Sequence, residues 1–371
     1  MTHRPRVLLL IPHLGGGGAE QVTALLAQGL SRQKYELHLG LVTQADAGTE
    51  PLPSWVHIHA LAARRVRSGA FRLLQLIRRV KPDVILSGMA HLNFLVLLLR
   101  PFLPRATRVL VRQNGTASAA LAFGDLPGFT RSLYRLLYRH ADRVICQTRA
   151  MADDLAGELG ITMSRAAVLP NPVAVEEIRN IVGKSPNPWS GPGPHLLAVG
   201  RLAPVKGFDM LLQALAVVRR RFPDADLVIA GAGSEEAALK AKCRELGMES
   251  AVCFPGYVRF PASYFPGTSL FVLSSRHEGL PNALLEAAAG GLPLVAVPAS
   301  GGLVDLLDDR PGAWLATEIS ASALAHSLLD ALQVLKPGQR FAHAFVEPFR
   351  VENSIEQYEA LIDATLKEVR P

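Results

Sequence analysis

The chain has 371 residues, of which 49% are hydrophobic, and a formal net charge of +7. This length corresponds to two or three domains of ordinary size with enough apolar residues for two full cores, which excludes a small binding module. The longest apolar candidate for a membrane span, residues 94–99, ends at Arg100 and falls far short of the about 18 residues that such a helix needs.

The N-terminus begins with basic residues and an apolar run, then continues as GGGGAE without a small-residue cleavage pattern. We interpret it as a first buried strand rather than a signal peptide, and we expect the protein to stay in the cytoplasm. The three cysteines, Cys146, Cys243 and Cys253, are odd in number and form no C-x-x-C pair. This favours reduced, mostly buried thiols over disulfides or a zinc site.

The charge is unevenly distributed. Residues 1–185 contain 23 Lys and Arg against 12 Asp and Glu, whereas the remainder contains 16 against 20. In two stretches basic residues alternate with apolar ones at helical spacing, which suits docking on an anionic membrane surface; a solvated face of ordinary core helices is the alternative. Nucleic acid is not an expected partner, because no nucleic-acid-binding signature accompanies the charge. The basic residues concerned are Arg64, Arg65, Arg67, Arg72, Arg78, Arg79, Lys81, Arg131, Arg135 and Arg139.

Short β-branched or Leu-rich runs alternate with segments of helical period, which predicts layered α/β structure. The predicted strands are 7–11, 38–42, 84–87, 108–112 and 143–147 in the first half, and 195–199, 227–230, 251–254, 270–273 and 294–297 in the second. A Pro-, Gly- and Ser-rich stretch at 168–194 predicts a linker between two Rossmann-like, doubly wound domains that face a cleft. We assign residues 1–172 to the first domain, 190–345 to the second and 346–371 to a C-terminal segment with a helix at 354–369.

A glycine loop follows the first predicted strand. Gly15, Gly16, Gly17 and Gly18 directly precede a helix that contains Glu20. Consecutive glycines allow the backbone to approach a ligand closely, although a flexible turn without a ligand is the alternative. The loop is not a Walker loop, since no G-K-[ST] follows, and it lacks the dinucleotide spacing.

The second domain opens with a strand followed by two cations on one loop, Arg201 and Lys206. Arginine presents a planar fork to phosphate oxygens and lysine a compact charge. Together they suit a diphosphate whose negative charge grows as it departs, with a solvated basic loop as the alternative.

The segment SSRHEGLPNALLEAAAGGLPLVAV places Glu278 and Glu286 in an E-x7-E frame. The pattern predicts a strand at 270–273, a loop at 278–281 and a helix at 282–289 that stops at two glycines. Ligands of an open parallel sheet bind outside the carboxyl ends of its strands, where these two carboxylates would accept hydrogen bonds from sugar hydroxyls. The alternative is one surface-loop glutamate and one exposed helical glutamate.

This segment, with the G-R-L-x-x-x-K-G loop of Arg201 and Lys206, resembles the donor site of the family 4 retaining glycosyltransferases of bacterial cell-surface polysaccharide and lipopolysaccharide type, which have the GT-B fold. The resemblance implies that Glu278 lies beside the donor sugar and that Glu286 binds the ribose hydroxyls of the nucleotide. It also implies that Arg201 and Lys206 stabilise the departing diphosphate, which makes Glu278, Arg201 and Lys206 the expected catalytic residues. It further implies that the C-terminal helix at 354–369 returns to pack on the first domain.

The resemblance extends the donor site to other loops. Tyr257 and Val258 are the expected base pocket, with plain packing as the alternative, and the glycine loop at 15–18 is expected to face the donor diphosphate and the acceptor. Gly301 and Gly302 match the next Gly-Gly loop of the family, although Asp305 stands where a glutamate is common. The remaining expected donor-binding residues are Gly15, Gly16, Gly17, Gly18, Gly231, Gly279, Leu280, Pro281 and Asn282.

One departure concerns the loop after the fourth strand of the first domain, where many family members carry a histidine. Here it reads VRQNGTAS, with Gln113 and Asn114 at that place. Both side chains can hydrogen-bond sugar or acceptor hydroxyls. The acceptor-side candidates are therefore Gln113, Asn114 and His91, which lies near another predicted strand end; for His91 and His13 a structural role is the alternative.

No metal and no other cofactor is expected. Asp224 and Asp226 match the D-x-D triplet of another glycosyltransferase fold, but they occupy a turn that enters a strand rather than leaves one. Arg201, Lys206 and helix N-termini supply the charge that Mg²⁺ would otherwise provide.

Together with this resemblance, the sequence predicts a retaining hexosyltransferase that moves a sugar from a nucleotide diphosphate-sugar, with a UDP-sugar as the expected donor, to a hydroxyl of a lipid-linked, lipopolysaccharide or exopolysaccharide acceptor. Its expected partners are the nucleotide sugar, this glycan or lipid-linked acceptor, and the anionic inner surface of the cell membrane. Two alternatives stay open. A nucleotide-sugar epimerase of the same fold would need acid and base side chains in the site, and a non-catalytic nucleotide-sugar-binding subunit would bind donor without turnover.

Overall fold

Strands and helices alternate along the chain, as the sequence predicts. A computed structural model describes residues 4–15, 17–43, 52–63, 66–118 and 130–368. The strands are β1 (Arg6–Ile11), β2 (Glu36–Leu41), β3 (His57–Ala60), β4 (Val84–Gly88), β5 (Arg108–Arg112), β6 (Arg143–Cys146), β7 (Ala166–Val168), β8 (His195–Val199), β9 (Asp226–Ala230), β10 (Val252–Cys253), β11 (Leu270–Leu273), β12 (Leu294–Ala296) and β13 (Ala313–Leu315). The helices are α1 (Gly18–Gly29), α2 (Ala70–Val80), α3 (Ala90–Leu98), α4 (Thr130–Tyr138), α5 (Arg149–Leu159), α6 (Val175–Lys184), α7 (Phe208–Arg221), α8 (Glu236–Glu245), α9 (Asn282–Ala289), α10 (Gly301–Leu307), α11 (Ala321–Val334) and α12 (Val351–Lys367). These elements form two compact units, Met1–Pro172 with Pro348–Pro371, and Val173–Glu347.

The first unit is built on a seven-stranded parallel sheet with the order β3-β2-β1-β4-β5-β6-β7. Helices cover both faces, so the side chains of its central strands are buried on both sides. In β1, Leu8 and Leu10 pack in the core that α2 to α5 cover, whereas Val7 and Leu9 pack in the core that α1 and α12 cover. The strand order reverses between β1 and β4, which opens a crevice at the carboxyl ends of these strands.

The last helix, α12, completes the core of the first unit although it is distant from the rest of that unit in sequence. It approaches α1 closely because Gly29 has no side chain: a Cβ there would lie 2.6 Å from Ile355 Cγ1. Glu359 holds the contact, since its carboxylate accepts hydrogen bonds from Ser31 N (2.8 Å) and Lys34 Nζ (2.6 Å). The residues that α12 buries most deeply in this core are Ile355, Tyr358 and Ile362.

The second unit is built on a six-stranded parallel sheet with the order β10-β9-β8-β11-β12-β13. Here the order reverses between β8 and β11, which pair through Leu196–Leu270 and Leu197–Phe271. Both units are therefore doubly wound and Rossmann-like, which confirms the predicted α/β fold.

Three short strands, β3, β7 and β13, were not predicted from the sequence. Each strand has only three or four residues, and none of the three is buried throughout. The strands are therefore too short to show a sustained apolar run or a sustained alternation of apolar and polar residues, the two patterns that predict a strand. The Pro-rich stretch at 168–194 also contains α6, whose Val175 and Ile178 are buried and whose first turn carries the acidic Glu176 and Glu177. Only part of that stretch is therefore a connection without secondary structure.

Candidate active site

The crevice of the second unit lies where β8 and β11 end side by side. Loop 200–207 follows β8, and loop 274–281 follows β11. In a doubly wound sheet, ligands bind outside the carboxyl ends of the strands at the point where the strand order reverses. The two predicted motifs therefore meet at this edge, although Lys206 and Glu278 are 72 positions apart in sequence.

Lys206 and Glu278 form an ion pair in this crevice. Lys206 Nζ donates to Glu278 Oε1 at 2.6 Å, and the two side chains are 25% and 12% exposed, so water screens the pair only in part. Lys206 ends a short helical turn, Pro204–Lys206, which is followed by Gly207 with a φ of +61°. A Cβ on Gly207 would lie 2.1 Å from Ser274 O. Glycine is therefore required for this turn to lie against loop 274–281.

The loop that carries Glu278 is tied to the next loop of the sheet, which leads into α10. Glu278 N donates to Ala299 O at 3.2 Å, and Ser300 Oγ donates to Gly279 O at 3.2 Å. Ser300 also caps α10, the helix that begins with the predicted Gly301–Gly302 pair. The predicted donor residues beyond Glu278 are the buried Gly279, Leu280 and Pro281 and, on α9, the partly exposed Asn282 and Glu286.

The end of β9 lies against the loop after β8. A Cβ on Gly231 would lie 1.9 Å from Gly200 O, which keeps any larger residue out of this position. Arg201 is exposed at the same edge of the sheet. Gly231 N also donates to Gly256 O at 2.8 Å. The two predicted base-pocket residues follow Gly256 directly, and they are the exposed Tyr257 and the half-buried Val258.

The first unit has its own crevice between β1 and β4, and this crevice gathers two histidines and a carboxylate. His13 Nδ1 accepts a hydrogen bond from Gly15 N at 3.0 Å and lies 3.8 Å from Glu20 Oε1. Glu20 is buried, and its carboxylate folds back over the loop: a Cβ on Gly17 would lie 2.4 Å from Oε2. His91, in the first turn of α3, lies near enough to both for their charges to act on it. Burial lowers the pKa of His91, and the nearby His13 lowers it further, against an opposing effect of Glu20.

Glu20 is the residue of this crevice that the sequence prediction left out of the site. Its signal was the G-G-x-E pattern, a carboxylate in the first turn of a helix after a glycine loop. The sequence did not show that the carboxylate turns towards the loop rather than towards solvent. Gly17 and Gly18 lie at the start of α1, whereas Gly16 falls outside the described residues.

The two acceptor-side candidates after β5 have different environments. Gln113 is buried, its Nε2 donates to Tyr134 Oη at 2.6 Å, and its Oε1 accepts from Tyr138 Oη at 2.9 Å. Asn114 is exposed, and its Oδ1 accepts from Arg112 Nη1 at 2.6 Å. The amide of Gln113 is therefore engaged within the core, and Asn114 is the one of the two that solvent reaches.

The D-x-D triplet lies at the amino ends of the strands of the second unit. Asp226 begins β9, and its Oδ1 lies 2.7 Å from Nδ1 of His195, which begins β8. Asp224 is exposed in the preceding turn. Lys206 and Glu278 follow the carboxyl ends of their strands, so the triplet and the candidate site lie at opposite edges of the sheet.

Family models match both halves of the chain. The model described as Glycosyltransferase Family 4 matches residues 16–177, and the one described as Glycosyl transferases group 1 matches residues 193–334. These ranges hold residues 16–18 of the glycine loop and both motifs of the second unit.

Several curated proteins are similar in sequence. An uncharacterized glycosyltransferase of Haemophilus influenzae is 29% identical over 170 residues, and this match spans 45% of the chain and about half, 48%, of that protein. The N-acetylgalactosamine-N,N'-diacetylbacillosaminyl-diphospho-undecaprenol 4-alpha-N-acetylgalactosaminyltransferase of Campylobacter jejuni is 27% identical over 81% of the chain and 83% of that protein. A GDP-mannose-dependent alpha-mannosyltransferase of Mycobacterium tuberculosis is 30% identical over 74% of the chain and 70% of that protein.

Solved structures share the fold. The Anabaena HepE protein, crystallised with UDP and glucose, superposes with a TM-score of 0.76 at 17% sequence identity, covering 97% of this chain and 100% of that one. At this identity the likeness concerns the fold. It shows that the chain has the GT-B fold, and the two family models with the Mycobacterium relative show that the chain belongs to glycosyltransferase family 4.

Proposed function

We propose that the chain is a retaining hexosyltransferase that transfers a sugar from a nucleotide diphosphate-sugar, with UDP as the nucleotide, to a hydroxyl of a lipid-linked, lipopolysaccharide or exopolysaccharide acceptor. The observation that carries the proposal is the Lys206–Glu278 ion pair, which joins two donor-site motifs at the carboxyl ends of β8 and β11. The relatives support the substrate classes: the Campylobacter protein is named for a diphospho-undecaprenol-linked substrate, and the Anabaena structure holds UDP and glucose.

In this function the second unit binds the donor. Lys206 and Arg201 neutralise the negative charge that grows on the diphosphate as the bond to the anomeric carbon breaks. A fixed cation of low exposure stabilises such a transition state more than water does, because it does not have to reorient. Glu278 accepts hydrogen bonds from the donor sugar, and Glu286, further along α9, accepts them from the ribose.

The proposed reaction keeps the anomeric configuration. The acceptor oxygen forms its bond to the anomeric carbon on the face from which the diphosphate leaves, and an oxygen of the departing phosphate takes the acceptor proton. Arg201 and Lys206 supply the positive charge at the diphosphate, so no metal ion enters the proposal. The acceptor belongs to the first unit, where His13, Glu20 and His91 gather at the β1–β4 crevice.

A lipid-linked acceptor implies work at the inner face of the cell membrane, and we propose that the first unit docks there peripherally. The helix layer over one face of its sheet exposes large apolar side chains, among them Phe71 (68%) on α2 and Phe102 (62%) after α3. Three exposed cations, Arg78, Arg79 and Lys81, lie at the end of α2. No helix within the described ranges is long and apolar enough to cross a bilayer.

The test is a transfer assay with UDP-glucose, UDP-galactose, UDP-N-acetylglucosamine and GDP-mannose as donors and undecaprenyl diphosphate-linked sugars as acceptors. One donor should bind in calorimetry and give a product whose NMR coupling shows the same α configuration as the donor. Turnover should persist in saturating EDTA. An inverted product would refute the retaining course, an absolute metal requirement would refute the role given to the cationic loop, and donor binding without transfer to any acceptor would favour a binding subunit.

A further inference from the structure

The turn that carries Lys206 is bonded at three successive carbonyl groups by one neighbouring segment. Arg276 Nη1 donates to Pro204 O at 2.6 Å, and the backbone N–H of Arg276 donates to Val205 O at 2.8 Å. Ser274 Oγ donates to Lys206 O at 2.9 Å. The segment that follows β11 therefore fixes the backbone from which the Lys206 side chain extends.

Arg276 also holds the helix that follows this turn. Its Nη1 and Nη2 donate to Oδ1 and Oδ2 of Asp209 at 2.8 and 2.6 Å, in the parallel two-bond geometry of an arginine fork. Asp209 lies in the first turn of α7, and the hydrogen bonds from Arg276 keep the pKa of its carboxyl below the ordinary value. The two side chains are 41% and 48% exposed, and ion pairs of such exposure add little to stability. What the fork does provide is a direct connection from the segment after β11 to the first turn of α7.

The same short segment, 274–278, supplies both the bonds to the turn and the carboxylate that pairs with Lys206. A lysine side chain is a flexible four-carbon stem, so the direction of its ammonium group depends on where its backbone is held. Gly207 makes the close approach possible, because its missing Cβ leaves room for Ser274 O. The hydrogen bonds of Arg276 described above all go to groups of the turn and of α7.

We propose that Arg276, together with Asp209, is a positioning residue that aims the Lys206 ammonium at the diphosphate of the donor. This inference rests on the proposed function. It assigns a role in transfer to an exposed surface ion pair and separates that role from the catalytic one of Lys206. Misplacing a charged group by a fraction of its bonding distance weakens its interaction with the transition state more than it weakens substrate binding.

The experiment is a double-mutant cycle on the full chain with Arg276→Ala, Lys206→Ala and the pair together. The readouts are kcat and KM for the donor sugar, UDP affinity by calorimetry, and the midpoint of thermal unfolding. Arg276→Ala should lower kcat about tenfold with a smaller change in KM, and this effect should vanish in the Lys206→Ala background. Asp209→Asn should give a smaller loss of the same kind. Arg276→Lys should fail to restore the wild-type rate, because lysine cannot make the fork.

A matched control is Lys242→Ala, which removes one cation of an exposed ion pair, with Glu245, on α8 of the same unit. It should leave kcat unchanged.

Two outcomes overturn the positioning role. One is an equal loss of kcat from Arg276→Ala in the wild-type and Lys206→Ala backgrounds. The other is a loss of activity that is accompanied by a large fall in the midpoint of thermal unfolding. If the wild-type protein shows neither turnover nor UDP binding, the proposed function fails, and this inference fails with it. If the wild-type enzyme is active but the effects of Arg276→Ala and Lys206→Ala simply add in the double variant, only this inference is overturned.

Discussion

Lys206 is the residue with the clearest expected effect on the reaction. Its ammonium group lies 2.6 Å from Glu278 Oε1, and its side chain is only a quarter exposed. We expect Lys206→Ala to lower kcat by about 10²-fold or more, the scale seen when one charge partner of a transition state is removed. Steady-state kinetics with the donor identified by the binding screen provides the measurement.

The control for this variant must remove a lysine without touching the site. Lys240→Ala serves, because Lys240 pairs with Glu236 on the exposed face of α8. Wild-type turnover in Lys206→Ala would exclude Lys206 from the diphosphate site, whereas an equal loss in both variants would point to a general effect of lysine removal on the unit.

For single residues, the sequence indicates which side chains follow neighbouring strands and so lie close together. It does not indicate in which direction a side chain turns. Lys206 and Glu278 come together because each follows a central strand and the two strands are neighbours. The position of Glu20 against the glycine loop was not predicted, because it depends on the carboxylate turning back over Gly17. Gln113 is an acceptor-side candidate whose amide is engaged by two tyrosines 21 and 25 positions further along the chain. Such a contact leaves no local pattern in the sequence.

Among the elements, strands β2 and β3 carry a histidine cluster at the edge of the first sheet. His38 Nδ1 lies 3.0 Å from His59 Nε2, and His38 Nε2 lies 3.1 Å from a carboxylate oxygen of Glu36. His57 stacks on His38 with ring centroids 4.9 Å apart. Arg79 of α2 and Arg6 of β1 are the cations next to the cluster, at His59 and Glu36 respectively.

The cluster predicts a loss of stability on mild acidification. Burial is the main cause that lowers the pKa of both His38 and His59 below 6.5; Glu36 partly opposes this at His38, and neighbouring positive groups add to it at His59. The unfolded chain therefore binds more protons than the folded one once the pH falls through 6.5. The stabilisation is complete above that pH and decreases below it, by at most about 1.4 kcal/mol for each unit by which the pKa of a buried histidine is lowered.

Denaturant unfolding at pH 7.5 and 5.5 measures this effect. The wild type should lose more free energy of unfolding between the two pH values than His38→Gln/His59→Gln does. His140→Gln, which changes an exposed histidine of the same unit, should behave like the wild type. Identical pH dependence in the double variant and the wild type would rule out the cluster as the source.

Helix α2 is the element on which membrane docking can be tested. Arg72, Arg78, Arg79 and Lys81 are all exposed. Arg72 Nη1, however, donates to Leu61 O at 2.7 Å and Arg79 binds His59, so these two also hold the structure together. Of the other basic residues in the predicted stretches, Arg64 and Arg65 fall outside the described residues, as do the side chains of Arg67 and Arg131.

We expect Arg78→Glu/Lys81→Glu to release the protein from anionic vesicles at low salt. Each basic residue near such a surface contributes about 1 kcal/mol, and added salt should weaken wild-type binding as it shortens the Debye length. Sedimentation with anionic and with neutral vesicles is the measurement. Arg220→Glu/Arg221→Glu makes the same change of charge at the end of α7 in the second unit and should keep binding. Equal binding of the wild type to neutral and anionic vesicles would refute electrostatic docking.

The long, fully buried elements were predictable and the short, half-exposed ones were not. β1, β5, β8 and β11 are apolar runs bounded by turn residues, and their observed bounds lie within one residue of the predicted ones. β3, at the sheet edge, exposes His57 and Ile58, so its conformation depends on pairing with β2 rather than on its own pattern.

At the scale of the whole molecule, the first unit is discontinuous in sequence. Residues 348–371 return to it after the second unit has been traversed, and α12 then fills its core beside α1. Glu359 of α12 also holds this contact, because its carboxylate accepts hydrogen bonds from Ser31 and Lys34.

This arrangement predicts that a change in α12 weakens the first unit and spares the second. Ile362 is fully buried, so Ile362→Ala should cost the first unit about 2–5 kcal/mol. Hydrogen exchange followed by mass spectrometry should show faster exchange in peptides covering β1 and β2 and unchanged exchange in β8. Ile319→Ala deletes the same atoms from a residue of the second unit that is 41% exposed and should change neither. Faster exchange in both units of Ile362→Ala would contradict the division.

The position of α12 also bears on the order in which the protein is completed during synthesis. A ribosome delivers residues in sequence, and domains in general fold as units as they emerge. Residues 173–347 are all available before Ile355, Tyr358 and Ile362 have been made, so the second unit can close its core while the first still lacks one of its helices. Residues of the first unit that precede 173 are thus made before the second unit but complete their core after it, and α1 must keep an apolar face uncovered until α12 has been made.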